Sequence, residues 1–343
     1  MRAIRNGVIT EVRSERLDGS RVYFCEVVQN PSDGAISQQK RFAAALSVAS
    51  NLLLTACKVV AFVFSGSVSV LSEALHSVGD IVASVLAYAS VRVSDLPADA
   101  EHPYGHGKVE SFAALAEALL LVGAGGYVLY EAIGRFQDPK PIEVDLALWI
   151  IVATAVWNVG VSSYIGRVAE ETDSEALRAD AAHLRADVYT SVGVVVALIL
   201  VKFSGWLLWD PIVAVMLSGW ILLAGGRIAF RTFESLIDRR LPEEELKIIV
   251  QILKDHPHVR GYHQLRTRKA GSQRHIDAHI LLDDDLSLTE AHDITEDVED
   301  RIRAALPNVH VHLHTEPYQR EREHRREEHG DDVHLTPSDD ANL

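Results

Sequence analysis

Two pairs of residues in this 343-residue chain have the types and spacing to grip a metal ion. In LSEALHSVGD, His76 is followed four positions later by Asp80, and in RADAAHLRADV, His183 is followed four positions later by Asp187. Residues four apart share one face of an α-helix, so each segment offers an imidazole beside a carboxylate. Two such helices facing each other supply two nitrogen and two oxygen ligands, the number a tetrahedral divalent cation takes. That donor set suits Zn²⁺, whereas Mg²⁺ and Ca²⁺ prefer all-oxygen shells. An imidazole ligates only when neutral and titrates near pH 6.5, so metal and protons compete for it. Such a site sheds protons as it loads and regains them as it empties, which is the physical basis of metal/proton exchange.

The plain alternative for either pair is an internal hydrogen bond. Against it stands the location of both pairs inside apolar stretches, where an ionised carboxylate costs about 2.5–3.5 kcal/mol on insertion scales and intramembrane ionisable residues are functional by default. The recurrence of one spacing on two stretches strengthens the metal reading.

Two further groups carry ligand chemistry. The connection LPADAEHPYGHGKVES places Asp99, His102 and His106 at intervals of three and four. Beyond residue 240 lie 12 of the 16 histidines. Among these, His263, His279, His292 and His314, with Glu316, come from different predicted elements and form a candidate composite metal site. His275, His310 and His312 satisfy the same spacing argument, and histidines on a solvated sheet face are the plain alternative.

The elements that must position these groups follow from charge and hydropathy. The formal net charge is −15 (33 Lys+Arg, 48 Asp+Glu), yet 48% of residues are hydrophobic, so the two characters are segregated along the chain. Six apolar stretches, roughly 42–64, 68–91, 111–134, 146–168, 181–203 and 207–228, are each near the 20 or so residues a bilayer-spanning helix needs. The runs at 148–166 and 191–209 have no polar face, which excludes a water-soluble bundle. Arg41, Arg92, Lys108, Arg167, Arg178, Arg185, Arg227, Arg231, Arg239 and Arg240 flank one side, against Arg135, Lys140 and Lys202 on the other. The positive-inside rule therefore puts both termini in the cytoplasm. The expected divisions are an extension of unassigned role over 1–40, a six-span domain over 41–230, a metal-binding domain over 231–317 and a disordered charged tail over 318–343. Residues 1–40 lack the apolar core of a signal peptide and fit either a small β-rich extension or a loosely ordered leader.

Residues 241–317 have the pattern of an α+β unit in the order αββαβ. Leu241-Pro242 followed by three glutamates opens a helix. Runs at 262–269 and 274–282 alternate as strands around Ala270-Gly271-Ser272, Ser287 with Glu290 forms a capping box, and VHVHLHTE closes the unit. The acidic balance excludes nucleic acid as a partner. Cys25 and Cys57 make neither a disulfide framework nor a cysteine-rich zinc motif. No nucleophile with a paired base and no glycine-rich phosphate loop supports an enzyme, and no organic cofactor is expected.

From about Arg41 to Pro317 the chain resembles the cation diffusion facilitator family, through GSVSVLSEALHSVGD, HPYGHGKVES, LRADAAHLRADV, SLIDRRLP, GYHQLRTR and VHLHTEP. The resemblance implies a six-helix transmembrane bundle with a ferredoxin-like cytoplasmic domain, working as a homodimer whose cytoplasmic domains touch. It assigns the transport site to His76, Asp80, His183 and Asp187, the loop site to Asp99, His102 and His106, and a binuclear site to His263, His279, His292 and His314. Glu316 stands where the family usually has Asp. Histidine at position 76 resembles the zinc-selective members and departs from the bacterial pattern of three aspartates and one histidine. Lys108 and Asp238 fall where the family has a charge pair near the membrane exit. The implied activity is export of Zn²⁺ from the cytoplasm across the inner (plasma) membrane by proton antiport with alternating access, with Cd²⁺, Fe²⁺, Co²⁺ and Mn²⁺ as other cargo. A membrane metal sensor or buffer without transport is the rival reading.

Overall fold

The computed structural model describes the backbone of residues 2–5, 8–17, 20–28, 31–65, 68–136 and 146–321, and the side chains of 34–64, 77–136 and 149–321. Three antiparallel strands, β1 (Arg2–Arg5), β2 (Val8–Leu17) and β3 (Ser20–Val28), pair in sequence order. Six long helices follow: α1 (Pro31–Ser65), α2 (Val68–Ser94), α3 (Lys108–Arg135), α4 (Leu146–Glu171), α5 (Glu175–Ser204) and α6 (Trp209–Leu236). All six are long and apolar enough to cross a membrane. Several begin before the apolar runs do. α1 starts at Pro31 and runs through Lys40 and Arg41, whose charges meet Asp95 at the end of α2 and Glu110 on α3. α5 starts at Glu175 because Ser174 caps it, its side chain accepting from the Leu177 N–H.

The helices associate as α1 with α2, α3 with α6 and α4 with α5. Lipid tails are as apolar as leucine, so helix association in a membrane depends on close van der Waals contact between small residues. The α3–α6 crossing is built that way. A Cβ on Gly225 would lie 3.0 Å from Val122 Cγ2, and one on Gly125 would lie 3.1 Å from Ile221 Cγ2. A core of Ala43, Ala44, Val91, Ile165, Ala176 and Leu177 closes the end at which α5 begins. Large apolar side chains such as Phe64, Trp149 and Phe203 remain exposed on the outside, as a lipid-facing surface requires.

Beyond α6 comes the expected αββαβ order: α7 (Glu243–Asp255), β4 (Gly261–Ala270), β5 (Gln273–Leu282), α8 (Leu288–Ala305) and β6 (Val309–Pro317). β4 pairs antiparallel with β5, and β5 pairs parallel with β6 through the α8 crossover. The capping box at Ser287 and Glu290 is formed. Ile276, Ala278 and Ile280 of β5 pack with Ile249 and Leu253 of α7 and Val298 and Ile302 of α8. The helices thus cover one sheet face, and the alternation of β5 sends His275, Asp277 and His279 to the other. Residues 322–343, most of the expected charged tail, lie outside the described residues.

Gly225→Leu tests the crossing. Overpacking a tight contact costs about 1–3 kcal/mol, so the variant should melt several degrees below wild type in detergent. An unchanged midpoint would contradict so close an approach.

Candidate metal sites

In the middle of the bundle, α2 and α5 bring Asp80, His183 and Asp187 together, with one ligand atom from each within 4.8 Å of the others. Asp80 Oδ1 lies 3.3 Å from His183 Nε2. Asp80 and His183 are both buried. α1 fixes this stretch of α2: Asn51 Nδ2 donates to the Asp80 carbonyl at 3.2 Å, and Lys58 Nζ donates to Ser77 Oγ at 2.7 Å. On α5 the hydroxyls of Thr190 and Ser191 both donate to the Asp187 carbonyl. His76 lies on α2 one turn before Asp80, and its side chain falls outside the described residues.

The loop group also converges. Asp99 Oδ1 is 3.1 Å from His102 Nδ1, and Asp99 Oδ2 is 3.5 Å from His106 Nε2. The backbone N–H of His102 donates to Asp99 Oδ1 at 2.6 Å and is the first cause holding that carboxyl below its ordinary value. The three residues sit in a turn between α2 and α3, with Asp99 and His102 exposed to solvent.

In the C-terminal domain the centre is Glu316. Its Oε2 lies 2.7 Å from His263 Nε2, and its Oε1 lies 2.8 Å from His279 Nδ1 and 3.6 Å from His314 Nε2. Burial pushes the Glu316 carboxyl up, but hydrogen bonds from His263 and His279 outweigh it and leave the group below its ordinary value. Strand register explains the convergence: His263 is opposite His279 across β4–β5, and His279 is opposite His314 across β5–β6. The register shifts just after His263, where Gln264 takes a φ of +49°. Its extra methylene lets Glu316 span both rings. Within the single chain His292 stands apart from this group: it is exposed on α8, with its imidazole 3.5 Å from Glu296.

Several ionic groups escaped the sequence reading. Lys40 Nζ is 2.8 Å from Glu110 and 3.2 Å from Asp95, and Arg41 Nε is 3.0 Å from Asp95. Ser94 and Ser174 also donate to Glu110, at 2.8 and 2.5 Å. These contacts tie α1, α2, α3 and the cap of α5 at one end of the bundle. At the same end the C-terminal domain is attached. Lys108 Nζ is 2.9 Å from Asp238, the charge pair that the family resemblance implied, and this hydrogen bond holds the Asp238 carboxyl low. Asp173, just before the α5 cap, lies 2.6 Å from Lys269 and 3.0 Å from Arg274, and Arg274 also makes a two-pronged contact with Glu245. A Cβ on Gly107 would be 2.4 Å from the Ala270 carbonyl oxygen, so the loop and the β4–β5 turn touch through backbone.

Six helices long and apolar enough to cross a membrane, a buried triad able to hold a metal ion and an attached α+β domain define a multi-pass membrane protein. Residues 44–237 match the cation efflux transmembrane domain, and residues 241–318 match the cytoplasmic domain of cation efflux proteins. The chain is 34% identical over 281 residues to the cation-efflux pump FieF of Shewanella oneidensis, covering 81% of this chain and 94% of that one. To the FieF of Cronobacter sakazakii it is 37% identical over 278 residues, covering 81% and 92%. A structure of the transporter CzrB in its zinc form shares 29% identity over 23% of this chain and 92% of that chain, with a TM-score of 0.22, too partial a superposition to carry weight. The chain belongs to the cation diffusion facilitator family, and it is a divalent-metal efflux transporter.

The depressed value at Asp238 sets a pH window. A carboxyl held low contributes its pairing above the ordinary value of 3.8 and loses it as pH falls through the lowered one. Hydrogen exchange at Arg239 and Leu241, corrected for intrinsic rate, should therefore stay protected from pH 7 down to 3.8. Asp238→Asn should lower that protection a few-fold at pH 7, as an exposed ion pair is worth about 0–1 kcal/mol, and equal protection in both proteins would refute the pairing.

Proposed function

We propose that the protein exports Zn²⁺ from the cytoplasm in exchange for protons. The observation that carries this reading is the buried triad of Asp80, His183 and Asp187, two carboxylates and an imidazole from two facing helices. His76, on the same face of α2 as Asp80, supplies the fourth ligand. Imidazole in the set favours zinc over the hard cations. It also couples metal to protons, because each histidine must lose its proton to ligate. Metal enters from the cytoplasm and displaces protons from His76 and His183. The bundle then opens to the other side, where protons displace the metal. Cytoplasmic termini and an inner-membrane location follow from the flanking basic residues.

The other groups have supporting roles in this reading. Asp99, His102 and His106 hold a metal ion at the loop, and His263, His279, His314 and Glu316 hold metal in the C-terminal domain, through which the chain forms a homodimer. The name FieF, carried by the relatives, is that of a cation-efflux pump; zinc as the cargo here rests on the ligand chemistry. Metal loading of the C-terminal domain acts on transport only insofar as its ligands bind differently in two states of the dimer.

In proteoliposomes, Asp80→Ala or Asp187→Ala should abolish zinc flux with the protein still folded. Wild-type flux in either would reject the site, and zinc binding by the unaltered protein without flux would favour a sensor or buffer. Proton counter-movement should accompany zinc and vanish without it. His76→Asp should widen the cargo toward cadmium. Glu316→Ala should lower the calorimetric metal stoichiometry of the full-length protein, and an unchanged stoichiometry would place that site elsewhere.

A further inference from the structure

The bundle buries more acid than the triad uses. Glu117 of α3 and Asp180 of α5 are each 1% exposed. Ser47 Oγ of α1 donates to Asp180 Oδ1 at 3.0 Å. The other Asp180 oxygen and both carboxylate oxygens of Glu117 are buried without a hydrogen-bond partner among the described residues. The two carboxyls are close enough to act on each other electrostatically, and Asp180 acts likewise on His183. A buried carboxylate that lacks a donor is strongly penalised, and two acids side by side cannot both ionise unless a cation joins them. Packing alone does not call for this arrangement. Alanine or leucine, which fill the neighbouring positions of α3, would pack there without the penalty.

Their placement along the helices points to a use. Glu117 is seven residues beyond Glu110, two turns or about 10 Å further along the same face of α3. Asp180 is three residues before His183, one turn nearer the start of α5. The polar interior is therefore layered. Lys40, Asp95, Glu110 and Ser174 form the layer at the C-terminal-domain end. Ser47, Glu117 and Asp180 form the next, and Asp80, His183 and Asp187 form the innermost. The outer layer is closed in this structure, with Lys40 locked between Asp95 and Glu110.

We propose that Ser47, Glu117 and Asp180 form a second divalent-cation site, an oxygen-only station through which metal passes between the C-terminal-domain end of the bundle and the triad. The station rests on the transport reading above and adds a residue set to it. Two carboxylates neutralise a dication, with the hydroxyl as a third oxygen, and two protons, one on each carboxylate, take its place when the metal has moved on. Lacking nitrogen, the station holds zinc more loosely than the triad, which is what a relay toward a tighter site needs.

The test uses full-length protein in proteoliposomes, with zinc as the probe. Glu117→Gln and Asp180→Asn should each lower kcat/KM for zinc about tenfold, while calorimetric zinc binding by the triad persists. Glu117→Asp, which keeps the carboxylate, should recover most of the flux. Neither amide variant should melt below wild type, because each removes one of two crowded buried acids. Wild-type kcat/KM in Glu117→Gln would overturn the station. So would an altered pH profile with unaltered zinc dependence, which marks a proton-only pair, or a loss of flux accompanied by a lower melting point and no rescue by aspartate. Absence of zinc flux in the unaltered protein would instead overturn the transport reading itself.

Discussion

A charged side chain inside an apolar bundle must find its solvent among other side chains, and this requirement organises the membrane-spanning part of the protein. Lys40 is placed by two carboxylates, Glu110 by one ammonium and two hydroxyls, and Asp80 by a histidine across the α2–α5 contact. Each such contact joins different helices. The ionic groups therefore do for helix arrangement what buried apolar area does in a water-soluble protein, where lipid gives no comparable driving force. The joining of α1, α2 and α3 at one end of the bundle and the approach of α2 to α5 at the triad follow from where these charges are satisfied, while small residues set the α3–α6 crossing.

The same requirement explains why the metal is cargo that can leave. Two carboxylates and neutral imidazoles are stable in a low-dielectric interior only with a cation or with protons among them. In the proposed transport, exchanging one for the other keeps the interior neutral at each stage. The C-terminal domain uses the opposite regime: its Glu316 group lies on a sheet face reached by solvent, where carboxylate and imidazoles coexist through hydrogen bonds alone.

How much of this was legible in the chain depends on the range of the interaction. Asp80, His183 and Asp187 stand out because a one-turn spacing inside an apolar run is a local signal. The αββαβ order was equally local, written in capping residues and alternation. Glu117 and Asp180 lie in the same stretches and gave no signal, because each answers to a residue on another helix. Arg41 reads as a flanking charge, whereas α1 runs through it from Pro31 with Asp95 beside it. That His292 lies apart from the Glu316 group within one chain depends on which sheet face α8 covers, which packing decides and the spacing of histidines does not. Glu316 looked like a lengthened substitute. Its reach to two strands emerges only from the parallel register of β5 and β6.

Asp173 sits two residues ahead of the first turn of α5 and is gripped by Lys269 and Arg274 on the far domain. Burial pushes its carboxyl up, yet Lys269 and Arg274 more than offset that and keep it ionised well into acid. The β4–β5 hairpin thus has a handle on α5, the helix that bears two of the three converging ligands. In the proposed transport, a tilt of the sheet would pull on the root of that helix, giving the C-terminal domain leverage over the proposed metal-holding core without a ligand of its own ever reaching it.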